Sequence, residues 1–244
     1  MNHRHLHISD ASLPATFPAS FLHRVRTSSS TTLQEAFREW GTSPKRDLGL
    51  SFDRRIGMLR HLLRRFDEDL RALDHELRDR QADAIRFAKD GYAFQLNDRS
   101  LFSELLLDVD SFLVELRAAL ESAEHFILGV LEHVLGLPYT AKSFRAELQR
   151  ENAPTDWLDA LWKSPDLAVH QTSFSPAVRI QNEDPFEWAL IVQRGFPRDV
   201  SEITDPVDLT WFRFVYDKFS TMLSVVEAWL ITKVELHEQE EASG

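Results

Sequence analysis

Helical periodicity dominates the hydrophobic pattern of the chain. From Ser51 onwards, apolar residues recur at alternating spacings of three and four, at Ile56, Leu59, Leu63, Phe66, Leu70, Leu73 and Leu77. Residues at these spacings share one face of an α-helix. The pattern therefore predicts an amphipathic helix that runs to about residue 91, with a break near Arg80.

A second apolar seam predicts an equally long helix beside the first. It contains Phe102, Leu105, Val109, Phe112 or Leu113, Leu116, Leu120, Ala123, Ile127, Val130 and Val134. Gly136 and Pro138 then end the segment. A helix of about 35 residues spans roughly 52 Å, so it needs other long helices to cover its apolar face.

A third long helix is predicted near the carboxyl end of the chain. Asp205 is a candidate N-cap, and Pro206 suits the first helical position because its missing N–H needs no partner there. The seam of this helix consists of Phe212, Val215, Phe219, Met222, Val226 and Trp229. The tail, ELHEQEEASG, has no apolar period and is expected to fray.

Shorter elements fill the intervals. Thr32 and Glu35 form a capping-box pattern that predicts a helix over 33–40 ended by Gly41, and two further helices are expected over 140–151 and 155–163. The segments PAVRI (176–180) and FEWALIVQ (186–193) flank a turn-rich QNEDP and predict a β-hairpin.

These elements predict a mainly α protein. We expect an up-down bundle of long helices with a two-stranded hairpin inserted at about 176–193, before the last helix. The first 31 residues lack clear periodicity, so we interpret 1–31 as a flexible N-terminal segment and 32–240 as a single domain.

Composition narrows the functional classes. The 244 residues include no Cys, which excludes disulfide frameworks, thiolate metal sites and cysteine nucleophiles. No apolar run approaches the roughly 18 residues of a membrane span, and the N-terminus does not resemble a signal peptide, so a cytoplasmic protein without a membrane partner is expected. Glycine-rich nucleotide-binding motifs and the GxSxG nucleophile motif are also missing from the sequence.

Metal sites have little support in the sequence. A di-iron bundle needs Glu-x-x-His pairs on facing helices, and the chain contains none. Glu121 and His125 lie four residues apart, but His125 is on the side opposite the apolar seam. No metal ion and no cofactor is expected.

Charge is unevenly distributed along the chain, whose net charge is −11. Residues 1–100 carry 17 basic and 14 acidic side chains, whereas residues 101–244 carry 11 and 25. Within the basic half, the first long helix places Arg60, Arg64, Arg71 and Arg78 on one side. This stripe could contact the phosphates of a nucleic acid. Alternatively, Asp67 and Asp74 neutralise it through pairs within the helix.

The segment between residues 162 and 180 offers the best candidate for chemistry. His170 lies where a predicted helix end passes into the hairpin, with Lys163, Asp166 and Arg179 near it in sequence. A histidine at such a junction can exchange a proton near neutral pH while a cation stabilises a phosphate. The alternative is a structural histidine whose ring packs beneath the hairpin.

The order of these elements resembles that of HEPN-like helical bundles. The resemblance rests on the two long helices, the stretch DVDSFLVELRAALE (108–121), and the succession of a Trp-bearing helix, His170, a hairpin and a last long helix. It implies a dimer, and in active members a metal-independent ribonuclease with an Arg-x(4–6)-His motif. Here His170 matches the motif histidine, but Lys163, seven residues before it, carries the nearest preceding positive charge. Lysine lacks the planar fork with which arginine grips a phosphate, so the motif is degenerate.

Three functional hypotheses follow. The first is a homodimeric, HEPN-like interaction or regulatory module without catalysis, linked to RNA or a nucleotide, with Arg60, Arg64, Arg71, Asp166 and Arg179 as candidate binding residues. The second is a divergent ribonuclease that uses His170 and Lys163. The third is a helical scaffold that binds a small ligand between its helices.

Overall fold

A computed structural model describes residues 17–42, 50–90, 94–155, 174–194, 207–208 and 210–243. The helices in these ranges are α1 (Ala19–Arg26), α2 (Thr31–Thr42), α3 (Leu50–Asp79), α4 (Gln81–Asp90), α5 (Arg99–His133), α6 (Ala141–Arg150) and α7 (Thr210–Ser243), and the strands are β1 (Phe174–Glu183), β2 (Phe186–Arg194) and β3 (Val207–Asp208). A mainly α protein with a hairpin inserted before the last helix is therefore confirmed.

Two of the three long helices, α3 and α5, begin and end close to where the sequence pattern places them. Helix α3 gives way to α4 at Arg80, the predicted break. The Asp98 side chain caps α5 by accepting the Ser100 N–H at 2.9 Å. After α5, Gly136 adopts a φ of 63°, a left-handed conformation that glycine tolerates without strain. The predicted helix over 140–151 is α6, which begins with a capping box formed by Thr140 and Ser143.

The hairpin is longer than the sequence pattern predicts and gains a third strand. Strands β1 and β2 pair antiparallel around a turn at Asp184 and Pro185, and β3 pairs antiparallel with β2, so the strand order is β1-β2-β3. The hairpin tip is held against α4, where the Lys89 ammonium lies 2.7 Å from a Glu183 carboxylate oxygen. This contact joins the hairpin tip to α4.

A continuous apolar core joins the helices. Leu116 of α5 and Phe219 of α7 are fully buried, and α3 lies against α5 along much of its length. Most residues of the three predicted seams are buried. An exception is Phe102, which is 43% exposed and lies outside the core. None of the described helices is long and apolar enough to cross a membrane.

Three predicted helix boundaries are wrong. Helix α2 starts at Thr31 because Ser30, and not Thr32, is its cap: the Ser30 hydroxyl oxygen accepts the Leu33 N–H at 3.0 Å. Gly41 does not end α2, which continues to Thr42. Residues 207–208, predicted to lie in the last helix, instead form β3 because they pair with β2, and α7 starts only at Thr210.

Two segments, the first described helix and the tail of the last helix, are more ordered than the sequence pattern suggests. Helix α1 lies within the stretch interpreted as a flexible N-terminal segment, and its Phe21 and Val25 are fully buried. It packs against α7. The acidic tail of α7, predicted to fray, is helical to Ser243. The contacts between α1 and α7 explain why both segments are ordered.

Candidate functional site

An open groove lies between α3, the hairpin and the first turns of α7. Its volume is about 640 Å³. The groove is lined by Asp67, Leu70, Arg71, Asp74 and Arg78 of α3, by Gln181, Phe186, Glu187 and Trp188 of the hairpin, and by Arg213 of α7. Three arginines therefore converge on one surface from two helices, beside two aromatic side chains.

Asp74 organises the centre of the groove. The Nε of Arg78 donates to both carboxylate oxygens of Asp74 at 2.9 Å, and the indole Nε1 of Trp188 donates to Oδ1 at 2.7 Å. The hydrogen bond from Arg78, and to a lesser extent that from Trp188, holds the pKa of Asp74 below its ordinary value. Asp74 therefore stays ionised and fixes the orientation of both side chains.

The other two arginines of the groove differ in their partners. Arg213 forms an ion pair with Asp67, which links α7 to α3. Arg71 forms no hydrogen bond or ion pair with any residue in the described ranges. Its guanidinium is exposed and available to an incoming anion.

The groove uses only part of the predicted arginine stripe. Arg71 and Arg78 line it, but Arg60 and Arg64 do not. The Nε of Arg60 donates to the Tyr216 hydroxyl at 2.8 Å, which ties α3 to α7, and Arg64 contacts the His61 ring at 3.0 Å. The predicted stripe therefore has two parts. Arg60 and Arg64 contact neighbouring side chains, whereas Arg71 and Arg78 face the groove.

The alternative interpretation of the stripe is partly correct. Asp74 pairs with Arg78 of the same helix, as that interpretation requires. Asp67 instead pairs with Arg213 of α7 and leaves Arg71 without a carboxylate partner among the described residues. Within the described ranges, neutralisation of the stripe is therefore incomplete.

The candidate residues near the hairpin are only partly placed. His170, Lys163 and Asp166 lie outside the described residues, as does most of the predicted helix over 155–163. Arg179 of β1 is described and exposed, but it does not line the groove.

Trp188, one of the tryptophans that the sequence offers as candidates for base stacking or for core packing, lies in the groove, and so does Arg213, which no sequence pattern singled out. Trp188 lies opposite Ile180 in the hairpin register, so a register prediction could have placed both on the face that meets the bundle. No sequence pattern indicated that Arg213, at the start of α7, would reach Asp67 on α3.

Two other kinds of site receive no support. No group of three or more side chains in the described ranges is arranged to hold a metal ion. An apolar crevice between α5, α6 and α7, lined in part by Ile127, Phe144 and Met222, has a volume of about 40 Å³. That is close to the ~30 Å³ occupied by one water molecule, so the crevice does not favour the small-ligand hypothesis.

Comparisons of the chain with protein-family models, curated proteins and solved structures give no match. The resemblance to HEPN-like bundles therefore stays a prediction from the order of the elements.

Proposed function

We propose that the protein is a cytoplasmic, HEPN-like interaction module without catalysis that binds RNA or a nucleotide through phosphate groups in the α3–hairpin groove. The observation that carries the proposal is Arg71, a cation without a partner among the described residues, in a groove that also contains Arg78 and Arg213. Guanidinium groups bind phosphate oxygens through charge-assisted, often paired hydrogen bonds.

The neighbouring ion pairs support phosphate binding. The side chains of Arg78 and Arg213 are 54% and 64% exposed, so their pairs with Asp74 and Asp67 are weakened by solvent. Arg78 is held to Asp74 through its Nε, so its terminal nitrogens can still donate to a phosphate. The half-buried Trp188 provides aromatic surface beside these cations for a base or a ribose, whereas Phe186 is buried beneath the groove.

Arg71→Ala should weaken binding of a short, fluorescently labelled single-stranded RNA roughly five- to tenfold in a polarisation titration, because it removes one charge-assisted phosphate contact. The dependence of affinity on salt should also become shallower. Arg54→Ala is the matched control, since Arg54 is an exposed arginine of α3 outside the groove. Equal affinities of the two variants would contradict the proposal, and ATP in the same assay tests the nucleotide alternative.

The same RNA tests for catalysis. We expect the RNA to remain intact during incubation with the wild-type protein. Cleavage that survives a metal chelator and disappears in His170→Ala would instead assign a metal-independent ribonuclease, with Lys163→Ala as the variant to examine next.

We propose that two copies of the chain form the functional unit. Leu107 and Val114 of α5 are 57% and 45% exposed, and their spacing of seven residues places them on the same side of the helix. Light scattering at micromolar concentration should give about twice the 28.2 kDa chain mass. Leu107→Glu should reduce this mass to that of one chain, whereas a wild-type mass of one chain at all concentrations would rule out the dimer.

A further inference from the structure

One carboxylate of the groove works against phosphate binding. Three carboxylates line the groove beside its three arginines, and they are Asp67, Asp74 and Glu187. Asp67 pairs with Arg213, and Asp74 pairs with Arg78. Glu187 is exposed and forms no ion pair or hydrogen bond with any residue in the described ranges. A negative charge without a partner repels a phosphate, so Glu187 favours a ligand that also offers hydrogen-bond donors.

A β-bulge brings Gln181 into the groove next to Glu187. Ile180 pairs with Trp188 and Asn182 pairs with Glu187, so Gln181 of β1 has no opposite residue on β2. A bulge of this kind bends its strand and changes the direction of a side chain. The Gln181 side chain lines the groove and has no hydrogen-bond partner among the described residues. An unoccupied amide and an unoccupied carboxylate therefore lie side by side on the hairpin side of the groove.

Trp188 supplies a fixed aromatic surface beside this polar pair. Its indole N–H is already donated to Asp74 at 2.7 Å, which holds the ring in place. The side chain is half-buried and lines the groove. Because the only polar atom of the ring is occupied, Trp188 can contact a ligand by stacking and not by a hydrogen bond. Stacking accepts every base, so a choice between bases depends on other side chains of the groove.

The two unoccupied side chains match the hydrogen-bonding edge of guanine. On this edge, guanine presents two adjacent donors, N1–H and the N2 amino group, followed by the O6 acceptor. An ionised carboxylate only accepts hydrogen bonds, so Glu187 suits the two donors, and the amide NH₂ of Gln181 suits O6. Adenine and cytosine present a ring-nitrogen acceptor on the same edge, and uracil presents a single donor between two acceptors. Each of these bases would therefore place an acceptor against Glu187.

We propose that the groove selects guanine, which stacks on Trp188 and is recognised by Glu187 and Gln181. The phosphate of the same nucleotide binds Arg71. The inference rests on the phosphate-binding function proposed above and narrows its ligand to guanine nucleotides, either free or within RNA. The groove volume of about 640 Å³ lies within the range of roughly 300–1,000 Å³ that is typical of small-ligand sites.

Base selectivity is measured with three labelled RNAs that differ at one position. Each is a uridine heptamer whose central residue is guanosine, inosine or adenosine, and the 244-residue chain is titrated into it in a polarisation assay. The guanosine RNA should bind roughly tenfold more tightly than the adenosine RNA. The inosine RNA should lie between them, because inosine lacks the N2 amino group.

Glu187→Gln tests the carboxylate that recognises the base. The preference for guanosine over adenosine should fall to about twofold or less, because one guanine donor loses its acceptor. The adenosine RNA should bind no more weakly than before, since the phosphate contacts remain. Asp184→Asn is the matched control: it removes an exposed carboxylate of the same hairpin outside the groove and should keep the full preference. A preference that survives Glu187→Gln would overturn the proposal.

Unlabelled GDP and ADP, added as competitors to the guanosine RNA, identify the source of the base. Displacement by GDP at concentrations roughly tenfold below those of ADP assigns a free guanine nucleotide. Displacement by neither, with the RNA preference intact, assigns guanosine within RNA. Equal affinities for the guanosine and adenosine RNAs, both weakened by Arg71→Ala, would overturn the selection of guanine and leave phosphate binding in place. If no RNA and neither nucleotide binds, the proposed function fails together with this inference.

Discussion

Replacing Leu116 or Phe219 with Ala is expected to lower the free energy of unfolding by about 2–5 kcal/mol in each case. Both side chains are fully buried, Leu116 in the middle of α5 and Phe219 in the third turn of α7. The Phe219 ring also makes an edge contact with Phe52 of α3, with ring centroids 6.2 Å apart. Truncation removes these contacts and leaves a cavity that the long helices cannot readily collapse to fill.

The same helices supply matched controls. Phe102 of α5 and Phe214 of α7 are 43% and 48% exposed, so their replacement with Ala should change the unfolding free energy by less than about 0.5 kcal/mol. Urea unfolding followed by circular dichroism measures all four variants. Equal effects at buried and exposed positions would show that the seams do not form the core.

There is a physical reason why the apolar seams predicted the long helices correctly. In a long amphipathic helix, each apolar residue repeats the same information about which face is buried, so one misplaced residue does not change the prediction. Phe102 was assigned to the seam and is exposed, yet the bounds of α5 are still those expected from the pattern. In α3, Leu62 is buried although the predicted seam contains its neighbour Leu63, and the helix still forms as predicted.

The errors occur where contacts distant in sequence determine the structure. Helix α1 has only eight residues, too few for a strong periodic pattern, and it is fixed by packing against α7. Strand β3 has two residues and exists because β2 offers an edge to pair with. The sequence of such a short segment does not indicate which distant part of the chain it will pair with or pack against.

In the groove too, local spacing could be predicted and contacts distant in sequence could not. Arg71 and Arg78 could be placed on one side of α3 from spacing alone. Their surroundings could not, because Trp188 and Arg213 arrive from the hairpin and from α7. The buried Asp108 of α5 carried a signal that was overlooked: it lies three residues after Leu105 and four before Phe112, so helical spacing already places this carboxylate on the buried face.

Glu238, in the tail of α7, holds the N-terminal segment to the bundle. Its carboxylate accepts hydrogen bonds from both terminal nitrogens of Arg24, from the Ser28 hydroxyl and from the Ser29 N–H, the last at 2.9 Å. The side chain of Glu238 is only 14% exposed, so solvent screens these contacts weakly. The hydrogen bonds from Arg24 and then Ser28 lower its pKa to about 2.

Glu238→Gln should therefore destabilise the protein by about 1–3 kcal/mol at neutral pH. The amide has one acceptor oxygen where the carboxylate has two, and its NH₂ group faces the guanidinium of Arg24, which is also a donor. Glu240→Gln is the matched control, because Glu240 is exposed on the same helix. Urea unfolding at neutral pH measures the difference between the two variants.

The pH dependence separates the charge of Glu238 from mere loss of packing. Because its pKa falls from an ordinary 4.5 to about 2 in the folded chain, the stability it contributes is complete above pH 4.5 and is lost as the pH falls towards about 2. The unfolding free energies of wild type and Glu238→Gln should thus differ most above pH 4.5 and converge in acid.

Hydrogen exchange measures the local effect on α1. The amide groups of the buried turn around Phe21 and Val25 should exchange faster in Glu238→Gln than in Glu240→Gln. If α1 exchanges at the same rate in both variants, Glu238 does not hold it in place, and burial of its apolar residues alone accounts for the order of the N-terminal helix.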